Sequence, residues 1–252
     1  LGIPAVVGVQ NATKLLKNGD KIVLDGEKGE IYQYSTKEEI LNPNSSPNPP
    51  QRSSFFPYPI ATKLMVNLSQ SSSLIKVMDL PVDGIGLLRS ELMLLDICNS
   101  DPLEKWLKTW EPSAIVRQLR DLIQEFVIRF APRPVFYRSF DGQPCQVVKT
   151  TTSDDLRGTR GYTIDPTLFD WELQALREIQ QQGYHNLRLI LPFVRSVREF
   201  KFCRDQVEKA GLMKSESFQL WIMAEVPSII FELDDYFKAG VQGIGIGTND
   251  LI

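Results

Sequence analysis

From residue 60 onward the chain repeats one pattern, a short apolar run followed by an amphipathic stretch at helical spacing. The runs are KLMVNL (63–68), GIGLL (84–88), PVFY (134–137), LRLILPFV (187–194), QLWIMA (219–224) and VQGIGIG (241–247). Near-continuous apolar strands separated by helices define an α/β protein with a parallel sheet. Parallel neighbours need a crossover, and the crossover helices cover the sheet faces. Six such units in about 190 residues fit an open doubly wound sheet or a (β/α)8 TIM barrel lacking its last units.

The intervening helices carry their own punctuation. Ile115, Leu119, Leu122, Phe126 and Phe130 recur on one helical face. Asp165 and Pro166 offer an N-cap and first helical position ahead of Leu168, Trp171, Ala175 and Ile179. Ser196 and Glu199 form a capping box, with Phe200, Cys203, Val207 and Ala210 as the inner stripe and Gly211 as the stop. Pro227 opens a fourth helix through Ile230, Leu233 and Phe237 that Gly240 ends.

The first 41 residues differ. KIVLDGEKGEIYQY holds two β-type runs around a turn at Asp25 to Gly29, which predicts a hairpin. Residues 42–59 contain six prolines with serine and asparagine and no periodicity, and they read as an extended linker. The expected organisation is therefore 1–41, a linker over 42–59, and the repeating domain over 60–252. A start on Leu1 rather than Met, and an end on Leu251-Ile252 after a polar loop, read as a chain cut at both ends. In a six-stranded partial barrel the first and sixth strands keep unpaired edges, and Met65, Ile85, Ile244 and Ile246 are expected on an exposed inner face. Such a piece is expected to be inactive alone.

Composition narrows the function. Lys and Arg number 28 against 31 Asp and Glu, a net charge of −3 without long blocks of either sign, which argues against nucleic acid as a partner. No run approaches the roughly 18 apolar residues of a membrane helix, and no secretory leader opens the chain, so no membrane partner and a cytoplasmic setting are expected. Cys98, Cys145 and Cys203 lack the spacing of a disulfide framework or a zinc site. His185, the only histidine, precedes a strand and so belongs to the barrel end opposite the chemistry.

Reactive side chains follow the strands instead. Arg89 and Glu91 come after GIGLL, Arg138 and Asp141 after PVFY, Arg195 after LILPFV, Glu225 after LWIMA, and Asn249 and Asp250 after GIGIGT. In a barrel those ends converge on the active face. Several arginines on one mouth match the oxygens of phosphate and carboxylate groups. Glu225 and Asp250, from neighbouring strands, suit Mg²⁺, which takes one or two carboxylates plus substrate oxygens and water. The glycines of GIGIGT are expected to let the backbone approach a ligand.

At these strings the chain resembles the phosphoenolpyruvate-utilising enzymes: phosphoenolpyruvate synthase, pyruvate phosphate dikinase and enzyme I of the sugar phosphotransferase system. LGIPAVVGV and NGDKIVLDGEKGEIY are similar to the end of the family's swivelling phosphohistidine β/β/α domain, the mobile domain. GIGLLRSELML, VFYRSFDG, ILPFVRSVREF, WIMAEVPS and GIGIGTNDLI resemble successive strand motifs of its phosphoenolpyruvate/pyruvate-binding barrel. PFVRSVREF and MAEVPS look most like phosphoenolpyruvate synthase, also called pyruvate, water dikinase.

The resemblance implies that Arg89, Arg138 and Arg157 hold the phosphate and carboxylate of phosphoenolpyruvate. Arg160 is the alternative to Arg157, because DDLRGTRGY departs from the family's longer lead-in. It further implies that Glu225 and Asp250 bind Mg²⁺, that Gly247, Thr248 and Asn249 contact substrate, and that Asp141 orients the third-strand arginine. ATP would act through a nucleotide domain absent from the chain. The phosphocarrier histidine would lie upstream, and the cysteine acid that protonates the enolate downstream. A homodimer through the barrel is implied as well. The alternatives are a pyruvate phosphate dikinase or enzyme I-like member, a non-catalytic regulatory barrel that binds phosphoenolpyruvate, and an unrelated Mg²⁺-dependent lyase on a similar barrel.

Overall fold

The computed structural model describes residues 5–26, 28–33, 61–98, 111–142, 156–248 and 250, so the proline-rich stretch, Cys145 and Asn249 lie outside the described residues. The chain divides into two compact units, 1–60 and 61–252. In the first, helix α1 (Ala12–Leu15) precedes strands β1 (Ile22–Asp25) and β2 (Glu30–Gln33). They pair antiparallel with Asp25 opposite Glu30, as expected of the hairpin. Its turn closes because Asp25 accepts the Gly29 N–H on its carbonyl at 2.9 Å and the Lys28 N–H on its carboxylate at 3.0 Å. Gly29, at φ 73°, takes the left-handed conformation this turn needs.

The second unit begins with β3 (Met65–Leu68), α2 (Leu74–Val77), β4 (Gly84–Arg89), α3 (Ser90–Cys98), α4 (Pro112–Phe130) and β5 (Val135–Arg138). It continues with α5 (Thr159–Ile164), α6 (Thr167–Gln181), β6 (Leu187–Leu191), α7 (Val197–Lys209), β7 (Leu220–Ala224), α8 (Ser228–Phe231), α9 (Leu233–Lys238) and β8 (Ile244–Ile246). All six strands are parallel, and their spatial order is their chain order. A doubly wound sheet reverses direction at a switch point and places helices on both faces. Here no reversal occurs, and right-handed crossovers in one direction keep the helices on one side, as in a (β/α) barrel.

Two apolar layers follow from the period-two alternation of the strands. The outer set includes Ile85, Leu88, Val135, Tyr137, Leu189 and Ile222, and packs with Phe126, Phe130, Phe169 and Phe200 of the helices. The inner set is smaller: Leu87, Phe136, Ile190 and Met223, with Met65 and Trp221 against them. Ile85 and Ile244 thus face the helices rather than the interior. Between Ile85 and Leu88 the pairing with β5 shifts register, and a bulge moves later side chains onto the opposite face. It sets Leu87 inward and Leu88 outward. Of the residues expected on an inner face, Met65 lies there, and Ile246 is 73% exposed.

The helix signals held with adjustments. Pro166 stands at the N-cap of α6 rather than at its first helical position, and the Asp165 carboxylate accepts the Thr167 N–H at 3.1 Å. Ser196 caps α7 by accepting the Glu199 N–H at 3.3 Å, while the Glu199 carboxylate takes the Arg195 N–H at 3.0 Å instead of closing the reciprocal box. The single helix expected after Pro227 is two short helices broken at Glu232. Its buried residues are Ile229 and Tyr236, one position earlier than the expected stripe, and Ile230 is 67% exposed. Ile229 and Tyr236 are seven residues apart, so the phase continues across the break and the whole stripe is displaced by one position.

Candidate active site

The C-terminal ends of β4 to β8 bring charged side chains together. Arg138, last in β5, is 9% exposed. Its guanidinium lies 3.0 Å from Glu91, 3.8 Å from Asp141 and 3.7 Å from Glu225. Glu91, at the start of α3, also accepts the Asp141 N–H at 2.7 Å, so it holds both the arginine and the backbone beyond it. Arg138 Nε and Asp141 Oδ1 are buried without a hydrogen-bond partner among the described residues. Unmet buried capacity of this kind is uncommon, and here it falls beside the cluster of charges.

Arg157 reaches the same cluster from the loop before α5. It donates to Asp141 at 2.8 Å, lies 3.6 Å from Asp250, and stacks its guanidinium 3.8 Å from the centre of the Phe193 ring. Phe193 has φ 46°, a strained conformation for an aromatic residue, and donates its N–H to Glu225 at 3.2 Å. Gly158 makes the approach possible, because a Cβ there would fall 2.4 Å from the Pro192 carbonyl oxygen. Thr159 fastens the two loops, donating its N–H to Pro192 O at 3.2 Å and its hydroxyl to Glu199 at 2.8 Å. Arg160, by contrast, sits exposed on α5. Between the two arginines of DDLRGTRGY, the structure brings Arg157 to the carboxylates.

Glu225 and Asp250 follow neighbouring strands β7 and β8. Burial pushes the Glu225 carboxyl above its usual range, the Phe193 N–H and Arg138 pull it back, and the charges of Asp141 and Asp250 push it up again. Burial likewise raises Asp141 against the pull of Arg157 and Arg138. Three or more His, Cys, Asp or Glu side chains do not converge as a metal cage among the described residues. Two repelling carboxylates still suit a cation that draws its other ligands from substrate and water. Gly247 serves this arrangement in an unforeseen way: a Cβ there would lie 2.5 Å from Glu225 Cγ, so the glycine makes room for the carboxylate side chain.

Arg89 ends β4 beside Arg138, exposed and with no ion-pair or hydrogen-bond partner among the described residues. Thr248 is exposed beyond β8. Arg195 donates to the Arg157 carbonyl at 2.8 Å and to the Phe193 carbonyl at 3.2 Å, supporting that loop. Glu91 was visible in sequence among the strand-end residues expected to converge, but its hold on Arg138 and the Asp141 N–H was not. Phe193 and Gly158 had no sequence signal beyond their place next to the arginines.

Residues 58–252 match the family described as PEP-utilising enzyme, PEP-binding domain, and residues 1–29 match PEP-utilising enzyme, mobile domain. The chain belongs to the phosphoenolpyruvate (PEP)-utilising enzymes. Among curated relatives, a probable phosphoenolpyruvate synthase of Staphylothermus marinus is 32% identical over 275 residues, covering 100% of this chain and 32% of the relative. The phosphoenolpyruvate synthase of Aeropyrum pernix is 32% identical over 281 residues, covering 100% of this chain and 33% of the relative. That of Pyrococcus furiosus is 29% identical over 263 residues, covering 100% and 32%. The chain thus spans about a third of the length of the curated relatives it matches. No helix among the described residues is long and apolar enough to cross a membrane.

Proposed function

We propose that this chain supplies the PEP- and pyruvate-binding site of a phosphoenolpyruvate synthase-like phosphotransferase. In this reaction a phosphoryl group passes between a phosphohistidine and the enolate oxygen of pyruvate, with ATP as the ultimate donor. The observation that carries the proposal is the meeting of Arg138 and Arg157 at Asp141, beside Glu225, where the C-terminal ends of β5 and β7 and the loop before α5 come together. Toward PEP, the enolate oxygen attacks phosphorus, the P–N bond breaks, and its electron pair returns to the imidazole. Negative charge concentrates on the enolate and phosphoryl oxygens, where fixed guanidinium groups stabilise it best.

Each residue takes a share of that work. Arg138 offers a buried Nε–H with no hydrogen-bond partner among the described residues, suited to an anionic oxygen. Arg157, with its guanidinium over the Phe193 ring, presents its fork to the same cluster. Arg89 adds an exposed cation at the same rim. Asp141 restrains both Arg138 and Arg157, and with Glu91, Glu225 and Asp250 it makes four carboxylates around the two guanidiniums. Glu225 and Asp250 would hold Mg²⁺, which supplies further positive charge to the enolate and phosphoryl oxygens. The same proposal makes the natural protein a cytoplasmic homodimer.

The test uses the natural-length protein that contains this chain. ATP-dependent conversion of pyruvate to PEP is expected, as is Mn²⁺ binding, with PEP present, weakened about tenfold or more in both Glu225→Ala and Asp250→Ala. PEP formation that does not depend on Arg138 or Arg157, or unchanged metal affinity in both variants, overturns the assignment.

A further inference from the structure

Glu172 on α6 is 0% exposed, and no lysine or arginine pairs with it among the described residues. Its neighbours on the buried face of the helix are Leu168, Phe169, Leu173, Ala175, Leu176 and Ile179. An apolar side chain at this position would pack the helix onto the sheet without the cost of burying a carboxyl group. What the carboxyl gains is two specific donors. Oε1 accepts the Tyr137 hydroxyl at 2.6 Å and the Phe140 N–H at 3.0 Å.

Those donors bracket the site. Tyr137 immediately precedes Arg138, and Phe140 immediately precedes Asp141. The last ladder bond of this segment is the Ser139 N–H to Ile190 O at 3.1 Å. Glu172 takes the N–H of the next residue, Phe140. The Phe140 carbonyl accepts the hydroxyl of Tyr162 on α5, which also lies 3.1 Å from the Ser139 hydroxyl. Both polar groups of one peptide-forming residue are therefore gripped from behind by buried side chains, while Glu91 grips the Asp141 N–H from the front. We propose that Glu172 is a positioning residue for PEP and pyruvate binding, fixing through Tyr137 and Phe140 the turn that aims Arg138 and Asp141. This rests on the functional proposal above.

Burial pushes the Glu172 carboxyl up to about 8, with the Tyr137 and Phe140 hydrogen bonds pulling the other way. At neutral pH it is mostly the neutral acid, so a glutamine preserves both its charge and its acceptor oxygen. That makes rescue by the conservative variant the discriminating readout. In the natural-length protein, PEP affinity with Mg²⁺ is measured calorimetrically well below each variant's unfolding midpoint, so that lost stability and lost aim separate. Glu172→Met, when folded, is expected to bind PEP about tenfold or more weakly, and Glu172→Gln to recover affinity to within about twofold. If Glu172→Met does not fold, Tyr162→Phe loosens the same turn by one hydroxyl and is expected to lose about threefold or more. Wild-type affinity in a folded Glu172→Met or, failing that, in Tyr162→Phe overturns the clamp, as does a Glu172→Gln as weak as the methionine variant. A wild-type protein that binds no PEP overturns the functional proposal, and this one with it.

Discussion

The two ends of the same parallel sheet handle polar groups in opposite ways. At the end where strands begin, side chains finish main-chain hydrogen bonding. Asn186 donates to Val127 O at 3.1 Å and Arg133 O at 2.9 Å, Arg133 donates to Val82 O at 3.0 Å, and Gln242 accepts the Leu220 N–H at 2.9 Å. His185 lies exposed at this end, its carbonyl accepting from Arg188 at 2.8 Å and from Ser217 at 2.8 Å. At the end where strands finish, Arg138 and Arg157 lie among four carboxylates at 2.8 to 3.8 Å, Ser90 Oγ, Arg138 Nε and Asp141 Oδ1 are buried without a partner among the described residues, and Phe193 is strained. Completed bonding at the first end stabilises the fold. Unfinished bonding at the second leaves capacity for a ligand.

The largest expected effect lies at the second end. Arg138→Met in the natural-length protein is expected to lower PEP-forming turnover by about 10²- to 10³-fold, read from initial rates at saturating substrate. Near-normal turnover would move the chemistry elsewhere and dissolve the contrast. Next is the pH profile of stability that Glu172 imposes. Its carboxyl is raised from 4.5 to about 8, chiefly by burial, among Tyr137, Tyr162 and Glu91. Between those values the folded state keeps a proton that the unfolded state releases, so stability is greatest below about 4.5 and declines as pH rises toward 8. The loss is on the order of a few kcal/mol, and urea midpoints across that window should flatten in Glu172→Gln. A profile as steep in the variant would assign the slope to other groups.

The smallest effect belongs to the first end. Asn186→Ala removes the donor from two main-chain carbonyls and is expected to cost about 1–3 kcal/mol in urea unfolding with KM unchanged. A raised KM with unaltered stability would mean that the two ends are not separate in function.

Much of this division was legible in the chain. The six apolar runs became the six strands, and Arg89, Arg138, Glu225 and Asp250 follow strands as their positions predicted. The choice between Arg157 and Arg160 was not legible, because three residues of sequence carry no information about which side of Gly158 meets the Pro192 carbonyl. The helix at Thr159–Ile164 was missed for a related reason, since its start is secured by distant loop contacts rather than by a local cap. Nothing in the sequence singled out Glu172. Its burial and partners arise only when α6 lies against β5.

The sequence by itself determined the order of strands and helices, the parallel class of the sheet and the strand ends at which charge accumulates. Local periodicity and capping depend on residues within one or two turns of one another. Tertiary structure alone decided the facing of Ile85 and Leu88 across a bulge, the stacking of Arg157 on Phe193, and the clamp of Glu172 on the Arg138 turn. Each of these joins residues distant in the chain or shifts register by one position. Side-chain direction and burial at such places are set by packing, which no single segment encodes.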